Sequence, residues 1–360
     1  MSAVFRQATA DDGEAILHLF RSTPQRGRVV LNFEREPDYF CGSQVICDQP
    51  ESWIARRDQG DVQMLFGFGQ RTLYINGIPR PVRYAHDLRL AEGSRGGRMI
   101  LRMARHVGER VSADELIQTV ILSDNSVSMN SVASGRAGLP VYYPCGDIET
   151  SLLFAPAGRN HSDIIVRRAT AEDVPAMQAL HDELAPGRQF YPSYCFAKML
   201  AGDNYYSGLS ISDYWLAFRG DALVGMTALW DQKHFKQTRV LAYPRGLSWL
   251  RYLWNVWASL FGGVRLPEAG GQMSYLTLHS TLIRDDDSCV LDALLGQMLN
   301  RRTQKSHAIA AGFFMQDPLR KALKGYRRQV MTSEHFLIGY HGDPRQELDK
   351  RLPYIEIARL

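Results

Sequence analysis

Alternating apolar and polar positions give way to helical spacing, and back again, several times along this chain. Residues 4–8 alternate as a short strand does; Ile16, Leu17, Leu19 and Phe20 then fall on one face of a helix expected over 12–22. An irregular stretch with a helix near 36–47 follows. Strands are expected at 52–57, 62–70 and 81–91, a helix at 97–110, a strand at 116–122, a helix at 125–137 and strands near 140–155. The rest of the chain repeats this order with an insertion between about 232 and 272, and Pro353 to Leu360 alternates as a terminal strand would. Strands interleaved with helices, with hairpins in the middle, predict an α/β fold (α+β in the sense of a mixed sheet).

The repetition is visible in the residues themselves. Phe5-Arg6-Gln7-Ala8-Thr9-Ala10-Asp11-Asp12 returns 161 residues later as Val166-Arg167-Arg168-Ala169-Thr170-Ala171-Glu172-Asp173. Thr9 and Thr170 stand where an N-cap belongs, and Asp12 and Asp173 three residues on complete a short capping box. Trp53-Ile54-Ala55-Arg56 is echoed by Trp215-Leu216-Ala217-Phe218-Arg219, each before a polar turn and a Gly-containing apolar strand. Three echoes in order indicate a duplication. The expected division is 1–156, a Pro/Gly-bearing linker at 157–163, and 164–360.

Composition narrows the class. At 360 residues and 45% hydrophobic, two cores are affordable. A net charge of +4, from 42 basic and 38 acidic residues, is too balanced to point to nucleic acid. Five Cys without zinc spacing read as reduced thiols. With no basic-then-apolar start and no long uncharged apolar run, a cytoplasmic chain without a membrane segment is expected.

The segment most suggestive of chemistry runs from Tyr84 to Met103. An alternating strand ends at Ala91, and Glu92-Gly93-Ser94-Arg95-Gly96-Gly97-Arg98 opens directly into a helix where Met99, Ile100 and Met103 keep helical spacing. A helix start offers unpaired N–H groups and positive potential, glycines allow close approach, and arginines add forked donors, so the loop suits a phosphate. An ordinary strand–turn–helix with solvated arginines is the alternative. No Gly-Lys-Ser/Thr follows, so it is not a Walker A loop.

The order of strand, helix, hairpin, fourth strand, Arg/Gly loop, helix and fifth strand (Thr119 to Asn125), continuing to Gly138-Leu139, resembles the GNAT superfamily of acyl-CoA-dependent N-acyltransferases, here as two tandem copies. The resemblance implies acetyl-CoA or another acyl-CoA as co-substrate. Gly93 to Arg98 would occupy the six loop positions that wrap the diphosphate; Gly96 matches the family pattern strictly, while Gly93 and Arg98 depart from it. Arg95, Gly96, Gly97, Arg98 and Met99 are thus cofactor candidates. Leu88, Arg89 and Leu90 fall where strand residues meet the pantetheine arm, and Asn125 follows the fifth strand. Attack on a thioester needs an amine stripped of its proton, which His86 or Asp87 near the end of the fourth strand would accept. Strict alternation sets those two on opposite faces, so one of them, with Asp87 preferred, would meet the pocket, unless both are simply hydrogen-bonded strand-end residues. Glu34, Glu36 and Tyr39 lie where the family builds its acceptor pocket; acids there would hold a cationic amine, a solvated loop being the plainer reading. The Tyr that many relatives use as acid would fall near Ser134, where there is none, and Tyr142 or Tyr143 substitutes only if the chain folds back.

In the second copy Asp285-Asp286-Asp287 replaces the Arg/Gly loop, which repels a diphosphate but suits a helix start. Its insertion carries Trp249, Leu253, Val256, Trp257 and Leu260 at helical spacing. Packing on its own domain or on a partner subunit is the ordinary expectation, since an interfacial membrane helix would want more basic residues on its polar face. The expected function is transfer of an acyl group, acetyl or longer, to a primary amine of a small molecule or peptide, without metal, nucleic acid or membrane; a homodimer stays open. The competing expectation is a non-catalytic acyl-CoA-binding or assembly module.

Overall fold

The computed structural model describes residues 4–26, 29–56, 61–94, 98–125, 129, 138–155, 161–244, 246–261, 265–301 and 308–360. One mixed sheet of twelve strands runs through both halves. From one edge its order is Val4–Gln7, Ser52–Arg56, Val62–Ile75, Ile78–Leu90, Ile117–Leu122, Arg327–Gly339, Val141–Ala155, Ala308–Phe314, Tyr275–Ile283, Ala222–Trp230, Tyr214–Arg219 and Ile165–Arg168. The order is a palindrome. Each half supplies five strands of its own side and sends its last strand across: Arg327–Gly339 pairs with Ile117–Leu122, and Val141–Ala155 pairs with Ala308–Phe314. The two exchanged strands also pair with each other, from Arg327↔Ala155 to Gly339↔Val141.

The repeated starts are built alike. In both, the N-cap threonine's N–H donates to the aspartate three residues on (Thr9 to Asp12, 2.9 Å; Thr170 to Asp173, 2.8 Å). An arginine six residues before that aspartate clamps it with both terminal nitrogens, Arg6 on Asp12 and Arg167 on Asp173. Helices Gly13–Ser22 and Tyr39–Ile46 cover one face of the first half through Ile16, Leu19, Phe20 and Tyr39, against Ile54 and Leu65. Helix Arg98–Gly108 covers the other through Ile100, against Ala55 and Met64, the alternate positions of the same strands.

Three expectations are corrected. The hairpin is longer than predicted, because Asn76-Gly77, both at positive φ (53° and 84°), make the two-residue turn of Val62–Ile75 with Ile78–Leu90. The last strand of the large sheet in chain order is Arg327–Gly339, and of the expected terminal strand only Pro353 pairs, in the two-residue strand Leu352–Pro353 beside Arg188–Gln189. In the tail beyond it Tyr354, Ile355, Glu356, Ile357, Ala358 and Arg359 are all buried, so its alternation does not mark a half-buried strand. The Trp-rich helix, Leu247–Phe261, turns Trp249, Leu253, Val256 and Leu260 outward instead of packing them on its own half. The strand before it, Gln237–Ala242, leaves the second half and pairs with Val30–Glu34 of the first.

Candidate functional site

The fourth and fifth strands of the first half run parallel but are in register only at Arg83↔Ile117 and Tyr84↔Gln118. Beyond Thr119, whose hydroxyl donates to the Ala85 carbonyl (2.9 Å), they part. On the fourth strand's other side, Leu65 pairs with Arg89 and Gly67 with His86, so Phe66 faces two residues, Asp87 and Leu88. That is a bulge, and Asp87 adopts φ 48° in it. The parted strands open on a cavity of about 330 Å³. Met103, Ala104 and Val107 of helix Arg98–Gly108 line it, with Ile121, Tyr142 and Tyr340; so do Phe33, Arg35, His86, Asp87, Arg89, Lys236 and Tyr275.

The bulge overturns the expectation that His86 and Asp87 face apart, because an extra residue in a strand breaks strict alternation. Their side chains meet: His86 Nδ1 lies 3.3 Å from Asp87 Oδ2, and Asp87 Oδ1 accepts from Arg35 Nη2 at 3.0 Å. The two are 4% and 8% exposed. The His86 ring stacks on Tyr84 with centroids 5.5 Å apart and covers Gly67, where a Cβ would come within 2.2 Å of it.

Charges follow from this packing. Burial opposes ionisation of Asp87, but Arg35 and the His86 hydrogen bond outweigh it and hold the carboxyl well below its ordinary range. Burial likewise disfavours the His86 imidazolium, yet hydrogen bonds to Asp87 and Cys47 prevail and raise its pKa. Buried Arg89 donates to the carbonyls of Thr23 (2.7 Å) and Phe33 (3.2 Å), and desolvation pulls it down to about 10. Lys236, half-buried, donates to the Leu360 carbonyl at 2.7 Å; desolvation, then Arg35, lower it to about 7 while Asp87 resists.

Of the sequence candidates, Leu88, Arg89 and Asn125 line the cavity together with His86 and Asp87. Leu90 and Met99 pack half-buried beside it with Ile100 and Ile121. Arg98 begins helix Arg98–Gly108 and is exposed; Arg95, Gly96, Gly97 and Ser134 lie outside the described residues. The acidic acceptor patch is not assembled. Buried Glu34 accepts from Arg239 Nε (2.9 and 3.0 Å), Glu36 from Arg21 (2.7 Å), and Tyr39 shares a 3.1 Å hydrogen bond with Ser52. None of the three lines the cavity; Arg35, between the two glutamates, does. Glu34 ties the halves together through a residue 205 positions away, which no local pattern announces. Lys236 has no local signal for the same reason, since it immediately precedes the inserted strand Gln237–Ala242 that crosses from the second half. Tyr142 does reach the cavity, on the strand that follows Leu139 and Pro140, and burial raises its pKa.

The second half keeps the bulge and fills the gap. Met226 pairs with Leu282 and Ala228 with His279, and Ser280 takes φ 47°, so His279 and Ser280 stand where His86 and Asp87 do. There the tail enters. Glu356 Oε2 accepts from Ser280 N (2.6 Å) and from the hydroxyls of Tyr354 (3.0 Å) and Tyr194 (3.2 Å). Arg359 Nε lies 3.2 Å from His279 Nε2, and Ile357 packs on Gly312. The three aspartates go to separate structural tasks: Asp286 pairs with Arg188, Asp287 accepts from Cys289 N (2.9 Å) and Arg219 (3.1 Å), and Asp285 is exposed. Among the described residues no group of three or more His, Cys, Asp or Glu is placed to hold a metal ion.

The fold is similar to that of solved structures. A GCN5-related N-acetyltransferase from Sphaerobacter thermophilus is 13% identical, with a TM-score of 0.52, over 99% of this chain and 98% of that one. One from Anabaena variabilis ATCC 29413 is 12% identical, TM-score 0.52, over 93% and 72%. A GCN5-related glucosamine N-acetyltransferase region of a fungal multi-domain GH3 beta-N-acetylglucosaminidase is 9% identical, TM-score 0.59, over 94% of this chain and 38% of that one. The fold is therefore that of the GCN5-related N-acetyltransferases across nearly the whole chain. No family model matches the sequence, and no curated protein does.

Proposed function

We propose that the first half, residues 1–156, binds an acyl-CoA in the parted strands and transfers its acyl group to a primary amine, while residues 164–360 complete the pocket. One observation carries this reading: the gap beside the bulge is an open cavity with a histidine–aspartate pair at its wall, whereas the equivalent gap is plugged. Arg95, Gly96, Gly97 and Arg98 would take the diphosphate, and the backbone of Leu88, Arg89 and Leu90 the pantetheine arm.

In this scheme His86, oriented by ionised Asp87, accepts the proton of the attacking amine. The new C–N bond forms as the C–S bond breaks, and Tyr142, kept protonated by its raised pKa, donates to the leaving thiolate. The second half supplies a guide to the thioester oxygen: Ser280 N–H donates to a carboxylate at 2.6 Å, so the Asp87 N–H at the matching bulge would hold the developing oxyanion. With Arg35, Arg89 and Lys236 around a single carboxylate, the amine is met by His86 and not by an acidic patch. Cofactor affinity would come mostly from backbone donors and rate mostly from positioning.

The rival reading, an acyl-CoA-binding module without turnover, draws on the loop's departures at Gly93 and Arg98. Calorimetric titration with acetyl-CoA should find one site per chain, and free thiol should appear when a panel of amines is added. Binding without thiol release across the panel supports the module. Absence of binding sinks both.

A further inference from the structure

The cavity holds more positive charge than its own acids answer. Arg35 and Arg89, 4% and 7% exposed, line it together with Lys236. Asp87 is the one acid among the described lining residues, and it pairs with Arg35 at 3.0 Å. Arg89 donates to two carbonyls and Lys236 to one, so neither has a carboxylate partner among the described residues. The Phe20 ring, 4.6 Å from the Arg89 guanidinium carbon, offers a weakly negative face and not a charge. Arg35 keeps an unanswered donor as well, since its Nε is buried without an acceptor. The glutamates on either side of it turn away, Glu34 to Arg239 and Glu36 to Arg21. By contrast Arg83 and Arg188, also largely buried, have two acids each.

Burying a cation is costly unless an anion meets it, so this surplus favours an anionic ligand. Desolvation lowers the pKa of Arg89 and of Lys236, and repulsion from Arg35 adds to it in both, so the three charges bear on one region. Two arginines and a lysine titrating at about 7, less one aspartate, leave between one and two positive charges at neutral pH. That suits a carboxylate better than a phosphate dianion. A carboxylate at Leu360, whose carbonyl already meets Lys236, would answer one cation and leave the balance positive. His86 and Arg35 grip different oxygens of Asp87, so an amine at His86 and an anion at Arg35 fit within one small molecule.

We propose that the amine acceptor is an amino acid, its carboxylate held by Arg35 and Lys236 in the field of Arg89. This rests on the acyl-transfer reading and narrows its acceptor. The test sets each standard amino acid against its own α-carboxamide in the thiol-release assay, because each pair differs at the carboxylate alone. Amino acids should be favoured about 100-fold or more in kcat/KM. Lys236→Met should cut that preference about tenfold through the KM of the amino acid, and Lys236→Arg, which keeps the charge, should restore it. The thermal midpoint of each variant checks its folding. Equal turnover of acids and carboxamides would overturn the proposal and leave acyl transfer standing. Preference for an aminoalkyl phosphate over the matching amino acid would overturn it in favour of a phosphorylated acceptor. Should no amine release thiol, calorimetry with N-acetyl amino acids and their carboxamides, CoA present, decides the carboxylate site by itself. Binding that needs the carboxylate and weakens in Lys236→Met supports the site, and absence of binding overturns it.

Discussion

Gly67 is the position where the proposed chemistry is most exposed to a single methyl group. A Cβ there would lie 2.2, 2.3 and 2.7 Å from three atoms of the His86 ring, against the roughly 3.5–4.0 Å of ordinary carbon contact. In Gly67→Ala the ring must therefore retreat by more than about an ångström. It has nowhere to go without loss: Tyr84 stacks on it, and its 3.3 Å hydrogen bond to Asp87 is already near the limit of such bonds. Overpacking of this kind costs about 1–3 kcal/mol. Misplacing a general base costs about 100-fold or more in turnover. The assay is thiol release from acetyl-CoA with the best amine, alongside calorimetric binding and urea unfolding. The expected outcome is a loss of about 100-fold in kcat with acetyl-CoA affinity changed less than about threefold. In the double variant Gly67→Ala with His86→Ala, the methyl enters vacated space, so the two stability effects should fail to add by about 1–2 kcal/mol. Full turnover by Gly67→Ala with normal cofactor binding would refute the role given to His86.

Other consequences are more quickly checked. The His86 pKa is raised, so the imidazole stays protonated to higher pH; kcat/KM should climb with pH through a value above about 6.5, and His86→Asn should remove that limb. Lys236, lowered to about 7, titrates nearby, so Lys236→Met should leave that limb in place if His86 is the base. Asp12 sits at about 2, chiefly through Arg6, and its contribution to stability is present above the ordinary carboxylate pKa and lost as pH falls through about 2; Asp12→Asn should thus lower the thermal midpoint at neutral pH and cease to matter near pH 2. Glu356→Leu strips partners from Ser280 N–H and from the Tyr194 and Tyr354 hydroxyls, and should cost about 3–5 kcal/mol in urea unfolding without creating a second acetyl-CoA site.

What the sequence made legible was local. The Thr-x-x-Asp starts and the strand and helix order rest on contacts within a few residues, and periodicity reports those well; the segment around Leu88 was placed by the family resemblance, since the gap it faces lies beside a strand more than thirty residues away. The bulge did not show, because Ala85-His86-Asp87-Leu88 carries no glycine, and an aspartate, though it enters the left-handed region more readily than most side chains, does not by itself mark it; a polar pair on a strand reads as alternating until a partner strand is seen to skip. The acceptor wall did not show either. Glu34 and Glu36 look like free acids until Arg239 and Arg21 are placed beside them, and Arg239, on strand Gln237–Ala242, and Lys236, just before it, arrive from some 200 residues away. The crossing of the last strands is non-local in the same sense, since Val141–Ala155 would alternate identically beside either half.

That crossing has a bearing on how the molecule can come apart. Cut in the segment between the halves, each fragment would keep five of its six strands and lose the one that closes its edge, leaving a row of unpaired amides and carbonyls in what is now the middle of the sheet. Neither piece should persist alone, yet each holds the other's missing part. Coexpressed fragments should find one another and melt as a single species, as two interlocked chains would. Joining them covalently replaces that encounter with a high effective concentration, and the symmetry it preserves is that of a strand-exchanged dimer written into one polypeptide.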